Sequence, residues 1–199
     1  MKLINFRAIG VLWLRELKRF VRARARIFGT FMVPILTLTF FSLGLYGVEL
    51  PGIPKEIDYV NFLLPGIIGG TILFSAVFSG ISVLWDREFG FLKEIMIAPV
   101  SRFSIVLGRI LGSSTIALFQ GLVILLFSML FIGIKKPDLY GLGWALLFMM
   151  LIAISFVGLG LIFASKLRDV QGFNIIVNFV LFPLFLLSGA MLPQQTLPK

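Results

Sequence analysis

The chain has 199 residues, of which 59% are hydrophobic and only 14% are charged, and its net charge is +9. Soluble domains are about 45–50% apolar and roughly a quarter charged, so the composition excludes an ordinary water-soluble fold and favours an integral membrane protein. The chain has no Cys and no His, which excludes disulfide bonds, thiolate zinc sites, a cysteine nucleophile and a Ser-His-Asp triad. We expect an all-α membrane protein with one domain over residues 1–199.

Residues 1–26 predict an amphipathic helix, because apolar side chains recur at helical spacing on one face and basic side chains lie opposite. The apolar face comprises Leu3, Phe6, Ile9, Gly10, Trp13, Leu14, Leu17, Phe20 and Val21. The basic face comprises Arg15, Lys18, Arg19, Arg22 and Arg26. Such a helix is typical of the headgroup plane, where each Lys or Arg near anionic lipid contributes about 1 kcal/mol. The alternative is a charge cluster without ordered structure; nucleic-acid binding is disfavoured because an apolar stretch follows at once.

Five apolar stretches are long enough to cross the bilayer, since a spanning helix needs about 20 residues. They are residues 27–48, 59–85, 104–134, 139–165 and 170–192. Because five is an odd number and the chain stops abruptly, we expect the native protein to continue past Lys199 into a further span.

The basic residues are distributed unevenly between the two sides that these spans define. With Arg109, near the start of the third span, counted with the loop before it, fourteen of the 18 Lys and Arg residues lie before the first span, between the second and third, or between the fourth and fifth. The other four are Lys55, Lys135, Lys136 and Lys199. Short loops rich in Lys and Arg stay in the cytoplasm. The asymmetry therefore predicts a multi-pass protein of the cell membrane whose N-terminus and residues 86–102 are cytoplasmic.

The predicted spans carry few groups that could drive chemistry or transport. All nine acidic residues are expected outside them, whereas ion-coupled transporters and pumps usually have ionisable groups in the membrane. The chain has no phosphate-binding Gly-x-x-x-x-Gly-Lys-Ser/Thr loop. We therefore expect a non-enzymatic transport subunit, and any uphill transport must take its energy from another chain.

Small and amide residues recur at helical spacing within the spans. Gly66 with Gly70, and Gly108 with Gly112, have the Gly-x-x-x-Gly spacing that lets helix backbones approach closely, either within the chain or across a dimer seam. The last span carries three amides on one side: Gln171, Asn174 and Asn178. They bond a neighbouring helix, or they line a polar pathway or a subunit interface.

Residues 86–99 interrupt this apolar pattern with charges of both signs and predict a short amphipathic helix between the second and third spans. Its polar face comprises Asp86, Arg87, Gly90, Lys93 and Glu94. Its apolar face comprises Phe89, Phe91, Leu92, Ile95, Met96 and Ala98, with Glu88 among them. Pro99 ends the helix, and Ser101 is a plausible N-cap for the third span. A helix resting on lipid is the alternative, but mixed charges suit a protein partner better.

The stretch from Asp86 to Glu94, followed by residues 98–102, closely resembles the cytoplasmic signature of the ABC exporter permeases that include the daunorubicin-resistance and polysaccharide-export families. Residues 187–193 resemble the end of their fifth span. The resemblance implies six spans, an N-terminal interfacial helix and a coupling helix between spans two and three. It also implies a second permease half, expected to form a homodimer, and two separate ATPase subunits that hold the ATP and Mg²⁺. No cofactor is expected in this chain.

By this resemblance Arg87, Glu88, Gly90 and Glu94 belong to the coupling element, together with the neighbouring residues of the same segment. The complete set of predicted ATPase-coupling residues is Asp86, Arg87, Glu88, Gly90, Lys93, Glu94 and Pro99. We expect the membrane subunit of an ATP-driven exporter. A charge-free interior rich in Phe suits an amphipathic drug or lipid-like substrate, and polysaccharide is the next candidate. From another class, a passive channel or a membrane scaffold is the alternative, although the chain shows neither a ring of charge nor a filter sequence.

Overall fold

The computed structural model describes residues 4–44, 59–97, 99–132 and 138–190, and every regular element within these ranges is helical. The helices are α1 Phe6–Arg22, α2 Arg24–Gly44, α3 Tyr59–Phe78, α4 Ile81–Glu88, α5 Phe91–Ile97, α6 Arg102–Phe127, α7 Leu139–Lys166 and α8 Val170–Leu187. A π-helical turn, Ser128–Ile132, continues α6. The predicted all-α class is confirmed.

Four helical stretches in the described part of the chain are long and apolar enough to cross a membrane. They are Val60–Glu88, Arg102–Phe131, Leu139–Lys166 and Val170–Leu187. A fifth candidate arises if α1 and the described part of α2, which meet at an angle of 71°, are counted as one broken span. The chain is therefore a multi-pass membrane protein, while the position of α1 at the membrane surface stays a prediction.

The second span is longer than predicted, because α4 continues α3 after a short break at Ser79 and Gly80. The break brings α3 against α7: a Cβ atom at Gly80 would collide with the backbone of Gly160, and one at Gly160 with the backbone of Val77. Small residues permit such close packing in lipid. The continuation places Asp86 and Glu88 on the last turn of the same helical stretch, within three residues of the predicted end of the span. The expectation that all nine acidic residues lie outside the membrane stays a prediction.

α3 is the central helix of the bundle and packs against α2, α6 and α7. The main core cluster joins these helices through Leu38, Leu63, Leu64, Ile67, Ile68, Ile72, Ala76, Ala117, Ile124, Met149, Ala153 and Val157. A second cluster attaches α8 to the α3–α4 helix and α7 through Val77, Leu84, Ala164, Phe173, Val177 and Leu181. The beginning of α8 is therefore held against α4 and α7, at the end of the bundle where α4 ends.

The glycines with four-residue spacing pack within the chain. A Cβ atom at Gly108 would meet Leu12, and one at Gly112 would lie 2.8 Å from the Cβ atom of Glu16, so both glycines of α6 receive α1. A Cβ atom at Gly70 would meet the ring of Phe185 on α8. Intra-chain packing, one of the two alternatives for these positions, is thus confirmed.

Candidate functional site

The charged end of the bundle is the region where α1, α4, α5, the start of α6 and the α7–α8 turn at residues 167–169 meet. Short polar side chains begin the helices here. Asn5 caps α1, Ser101 caps α6 by accepting from the Ser104 amide at 3.3 Å, and Asp169 caps α8 by accepting from the Gly172 amide at 3.0 Å. The predicted N-cap at Ser101 is confirmed.

α1 lies along α6 and has three distinct sides. Its inner side buries Ile9, Glu16 and Phe20, and the indole Nε1 of Trp13 donates to Thr115 Oγ1 of α6 at 3.1 Å. Part of the apolar face predicted from the sequence points outward instead, with Phe6 81% exposed. The basic residues form the third side. They do not all face outward, because Arg15 and Arg19 turn toward Asp86 on α4.

Asp86, at the end of α4, is a buried carboxylate surrounded by arginines from two other helices. Its Oδ2 atom lies 2.6 Å from Nη2 of Arg109 on α6. Its Oδ1 atom lies 2.8 Å from Nη2 of Arg15 and 3.5 Å from Nη1 of Arg19, both on α1. Charge-assisted hydrogen bonds of this kind are about twice as strong as neutral ones, and breaking a buried pair costs about 3–5 kcal/mol. Asp86 therefore ties α4 to α1 and α6.

Arg87, the next residue, contacts a different helix and binds the end of α7. Its Nη1 atom donates to the carbonyl oxygen of Leu167 at 2.9 Å. Its Nη2 atom donates to the carbonyl oxygens of Ala164 at 3.3 Å and Ser165 at 3.4 Å. The last carbonyls of a helix have no partner within it, and they carry the negative end of the helix dipole. Arg87 therefore ties α4 to the α7–α8 turn.

The predicted continuous helix over residues 86–99 is divided in two. α4 ends at Glu88, Gly90 has a φ of +76°, and α5 begins at Phe91. A positive φ is incompatible with a right-handed helix, and only glycine adopts it without strain. The expectation that Asp86 and Arg87 share a helix face with Gly90, Lys93 and Glu94 was therefore wrong, and Ala98 lies outside the described residues.

The α4–α5 corner, defined as residues 88–97, presents a surface of mixed character. Glu88, Lys93, Glu94 and Pro99 beyond it are exposed. Large apolar side chains are exposed beside these charges, with Phe89 at 82% and Ile97 at 83%. The guanidinium of Arg15 lies 4.2 Å from the centroid of the Phe91 ring, a cation–π contact that attaches α5 to α1. Exposed apolar side chains rimmed by charges of both signs are typical of a protein-binding surface.

Two buried charged residues of this end were not identified from the sequence. Glu16 is buried on α1, and its Oε1 atom has no hydrogen-bond partner among the described residues. It borders a cavity of about 20 Å³, room for about one water molecule, that is also lined by serines of α3, α4 and α6. Glu16 lies beside Ile9 and Phe20 on a helical projection, and Arg109 is a lone charge in an otherwise apolar span. These two features of the sequence could have identified Glu16 and Arg109 as buried charged residues.

The amides of α8 make no side-chain hydrogen bond to another helix in the described part of the chain. Gln171 and Asn178 are exposed, Asn174 is half-buried, and Asn178 Nδ2 donates to the carbonyl oxygen of Asn174 on its own helix at 2.9 Å. Bonding to a neighbouring helix of the same chain, the first of the two alternatives, is therefore not observed.

A cavity of about 490 Å³ lies between α2, α3 and α8. Its apolar wall includes Val33, Phe74, Phe78, Phe182 and Phe185, and its hydroxyl groups include those of Thr37 and Thr71. Thr37 and Thr71 each donate to a backbone carbonyl four residues earlier on their own helix, at 2.8 Å. The hydroxyl donors of these two residues are satisfied within their helices, so the wall is mainly apolar.

The family model and the relatives that match this chain agree on one protein family. The family model described as ABC-2 type transporter matches residues 7–199. The chain is 30% identical to the transport permease ycf38 of Cyanophora paradoxa over 145 residues, which are 72% of this chain and 50% of that protein. It is 25% identical to the inner membrane transport permease YadH of Escherichia coli K12 over 195 residues, which are 96% of this chain and 73% of that protein.

A third relative, YbhR of Escherichia coli K12, is described as a multidrug ABC transporter permease. It is 29% identical over 147 residues, which are 72% of this chain and 39% of that protein. The chain thus spans about half the length of ycf38. No solved structure gives a significant match. The match over residues 7–199, on a multi-pass helical fold, shows that the chain belongs to the ABC-2 type transporter family.

Proposed function

We propose that this chain is the membrane-spanning subunit of an ATP-driven exporter, and that a separate ATPase subunit docks on the α4–α5 corner. The observation that carries the proposal is the contrast within one segment. Asp86 and Arg87 are bonded to the rest of the bundle, whereas Glu88, Lys93 and Glu94 are exposed beside bare apolar side chains. Such a surface is accessible to a partner, and the contacts of Asp86 and Arg87 attach it to the bundle. A force that the partner exerts on the surface would therefore reach the other helices.

The ATPase subunit would supply the nucleotide chemistry that this chain lacks. ATP and Mg²⁺ would be held by that partner, in two copies for two permease halves. The family membership supports this arrangement, because an ABC permease works with an ATPase. The turn at Gly90 projects α5 from the end of α4 and would allow its exposed side to enter a groove of the partner.

A second permease half is the partner proposed for the exposed side of α8. Gln171 and Asn178 present amides that make no hydrogen bond to another helix of the described chain, next to Phe179, which is 83% exposed. Polar groups in hydrocarbon are costly unless they find partners. A homodimer would let these amides bond across a subunit interface or line a polar pathway between the halves.

An amphipathic drug or lipid-like molecule is the proposed cargo. The cavity between α2, α3 and α8 has about 490 Å³, within the range of about 300–1,000 Å³ that is usual for drug-sized ligands. Its wall of Phe and Val side chains favours an apolar guest over a polysaccharide, which needs many hydrogen-bonding groups. The description of the relative YbhR as a multidrug permease is in keeping with this choice.

We propose that the charged end faces the cytoplasm and that α1 lies at the headgroup level. α1 exposes Phe6 and Val21 beside the basic residues Arg7, Lys18 and Arg22, as an interfacial helix would. Single cysteines placed at Lys93 and Tyr140 in this Cys-free chain test the orientation. In intact cells an impermeant thiol reagent should label the cysteine at position 140 only, and labelling at position 93 only would reverse the orientation.

Docking is tested by charge reversal at Glu94, using the permease expressed from its complete gene together with the ATPase subunit. Glu94→Arg should leave the permease inserted but lower the amount of ATPase that co-purifies by about fivefold or more, because like charges at an interface repel. Ile105→Ala in α6 is the control and should retain full recovery. Equal ATPase recovery with Glu94→Arg and wild type would show that the α4–α5 corner does not dock the ATPase.

A further inference from the structure

We infer that Arg87 is a positioning residue that transmits movement of the α4–α5 corner to α8, rather than a residue that binds the ATPase. The inference rests on the proposed function, because it names the route from the docking surface to the wall of the apolar cavity. It also separates two roles within a segment that the sequence presents as one charged patch.

The contacts of Arg87 supply the first step of this route. Both terminal nitrogens of its guanidinium are occupied by the carbonyl oxygens of Ala164, Ser165 and Leu167, although the side chain is exposed. These carbonyls form the end of α7, and α8 begins only three residues after Leu167. The carboxylate of Asp169 caps that beginning. Arg87 therefore holds the short turn that sets the position of the first residues of α8.

The second step is the continuity of α8, which is helical throughout, although Pro183 in its last turns removes one backbone hydrogen bond. α8 runs over 18 residues, and a helix of that size is about 27 Å long. Its first turns pack against α4 and α7 through Phe173, which shares a buried cluster with Leu84 and Ala164. Its far part places Phe182 and Phe185 in the wall of the apolar cavity. A displacement at the Arg87 contact would thus tilt α8, and the tilt would reach the cavity wall first at Phe182, which precedes Pro183.

Asp86 connects α4 to other helices than Arg87 does, and its contacts form the fixed part of the route. Its carboxylate binds Arg109 of α6 and Arg15 of α1, so it fixes α4 to these two helices. Asp86 and Arg87 therefore connect α4 to different helices: Asp86 binds α1 and α6, and Arg87 binds the end of α7. The buried ion cluster at Asp86 acts as a pivot, and the more accessible Arg87 contact is the part that can move.

The chemistry of the Arg87 contact explains why arginine is needed at this position. Three carbonyl oxygens at the end of α7 are reached by two nitrogens of one planar group, which a lysine ammonium on a single stem cannot reproduce. Arg87→Lys should therefore keep the charge and part of the contact, and Arg87→Gln should lose both the charge and most of the contact. Arg168→Gln is a matched control, because Arg168 is an exposed arginine in the same turn with no hydrogen bond among the described residues.

The test uses one cysteine at Phe182, an exposed residue of α8 in the wall of the apolar cavity, in the Cys-free permease purified with its ATPase subunit. The labelling rate of this cysteine is measured with and without ATP and vanadate. In the wild-type background and with Arg168→Gln, nucleotide should change the rate. With Arg87→Gln the nucleotide-dependent change should fall about fivefold or more, with Arg87→Lys intermediate, while ATPase recovery stays unchanged.

Each result has a distinct meaning. A full nucleotide-dependent change with Arg87→Gln would overturn the inference, and so would a loss of ATPase recovery, which would make Arg87 a docking residue. If Arg87→Gln does not fold, the Arg87→Lys variant decides, and a full response there overturns the inference. Failure of the proposed function looks different, because the wild-type permease would then capture no ATPase at all.

Discussion

Asp86 and Glu94 are separated by only seven residues, yet they have opposite environments. Asp86 is buried among three arginines, whereas Glu94 is exposed on α5. The sequence presents both as members of one charged segment, because it shows spacing but not which charges find partners on distant helices. Arg15 lies 71 residues from Asp86, so their contact depends on the packing of α1 against α6 and could not be predicted from local pattern.

Removal of the Asp86 charge should destabilise the permease. Asp86→Asn leaves the buried guanidinium of Arg109 without its counter-ion, at a cost of about 3–5 kcal/mol. At about 2–4 °C per kcal/mol for a chain of this size, the melting temperature in detergent should fall by roughly 10 °C. Glu94→Gln is the control and should leave the melting temperature unchanged. A melting temperature of Asp86→Asn equal to that of wild type would show that the ion cluster contributes nothing to stability.

At the scale of elements, hydropathy predicts the spans well, and the connections poorly. Each predicted apolar stretch coincides with a helix in its described part, because length and composition alone decide whether a helix can cross a bilayer. The division between α4 and α5 depends instead on the backbone of one residue, Gly90. The sequence also did not predict that only part of the apolar face of α1 packs against α6. An apolar side chain gives the same sequence pattern whether it faces lipid or another helix.

The packing of α1 on α6 can be tested at Gly112. A Cβ atom there would lie 2.8 Å from the Cβ atom of Glu16, so Gly112→Leu should force α1 away from α6. Overpacking of this kind costs about 1–3 kcal/mol, and the melting temperature should fall by about 3 °C or more. Gly143→Leu on α7 is the matched control, because a Cβ atom there has no neighbour within 4 Å among the described residues. Equal effects of the two substitutions would contradict the observed position of α1.

At the scale of the whole molecule, the contacts gather the basic segments at one end. α1, the α4–α5 corner, the start of α6 and the α7–α8 turn meet there through the Asp86 and Arg87 contacts. The same segments carry most of the basic residues, so the topology predicted from charge asymmetry and the packing are consistent with each other. The partners and the cargo could not be derived in this way, because a chain in isolation shows which surfaces are exposed but not what covers them.

The ATP dependence of transport tests the central claim most directly. The permease and its ATPase subunit are reconstituted in proteoliposomes, and the movement of an amphipathic fluorescent dye across the membrane is measured with and without ATP. The account predicts dye movement only with ATP, and its loss when the phosphate-binding lysine of the ATPase is replaced. Dye movement at the same rate without ATP, and only down its concentration gradient, would identify a passive pore and contradict the account.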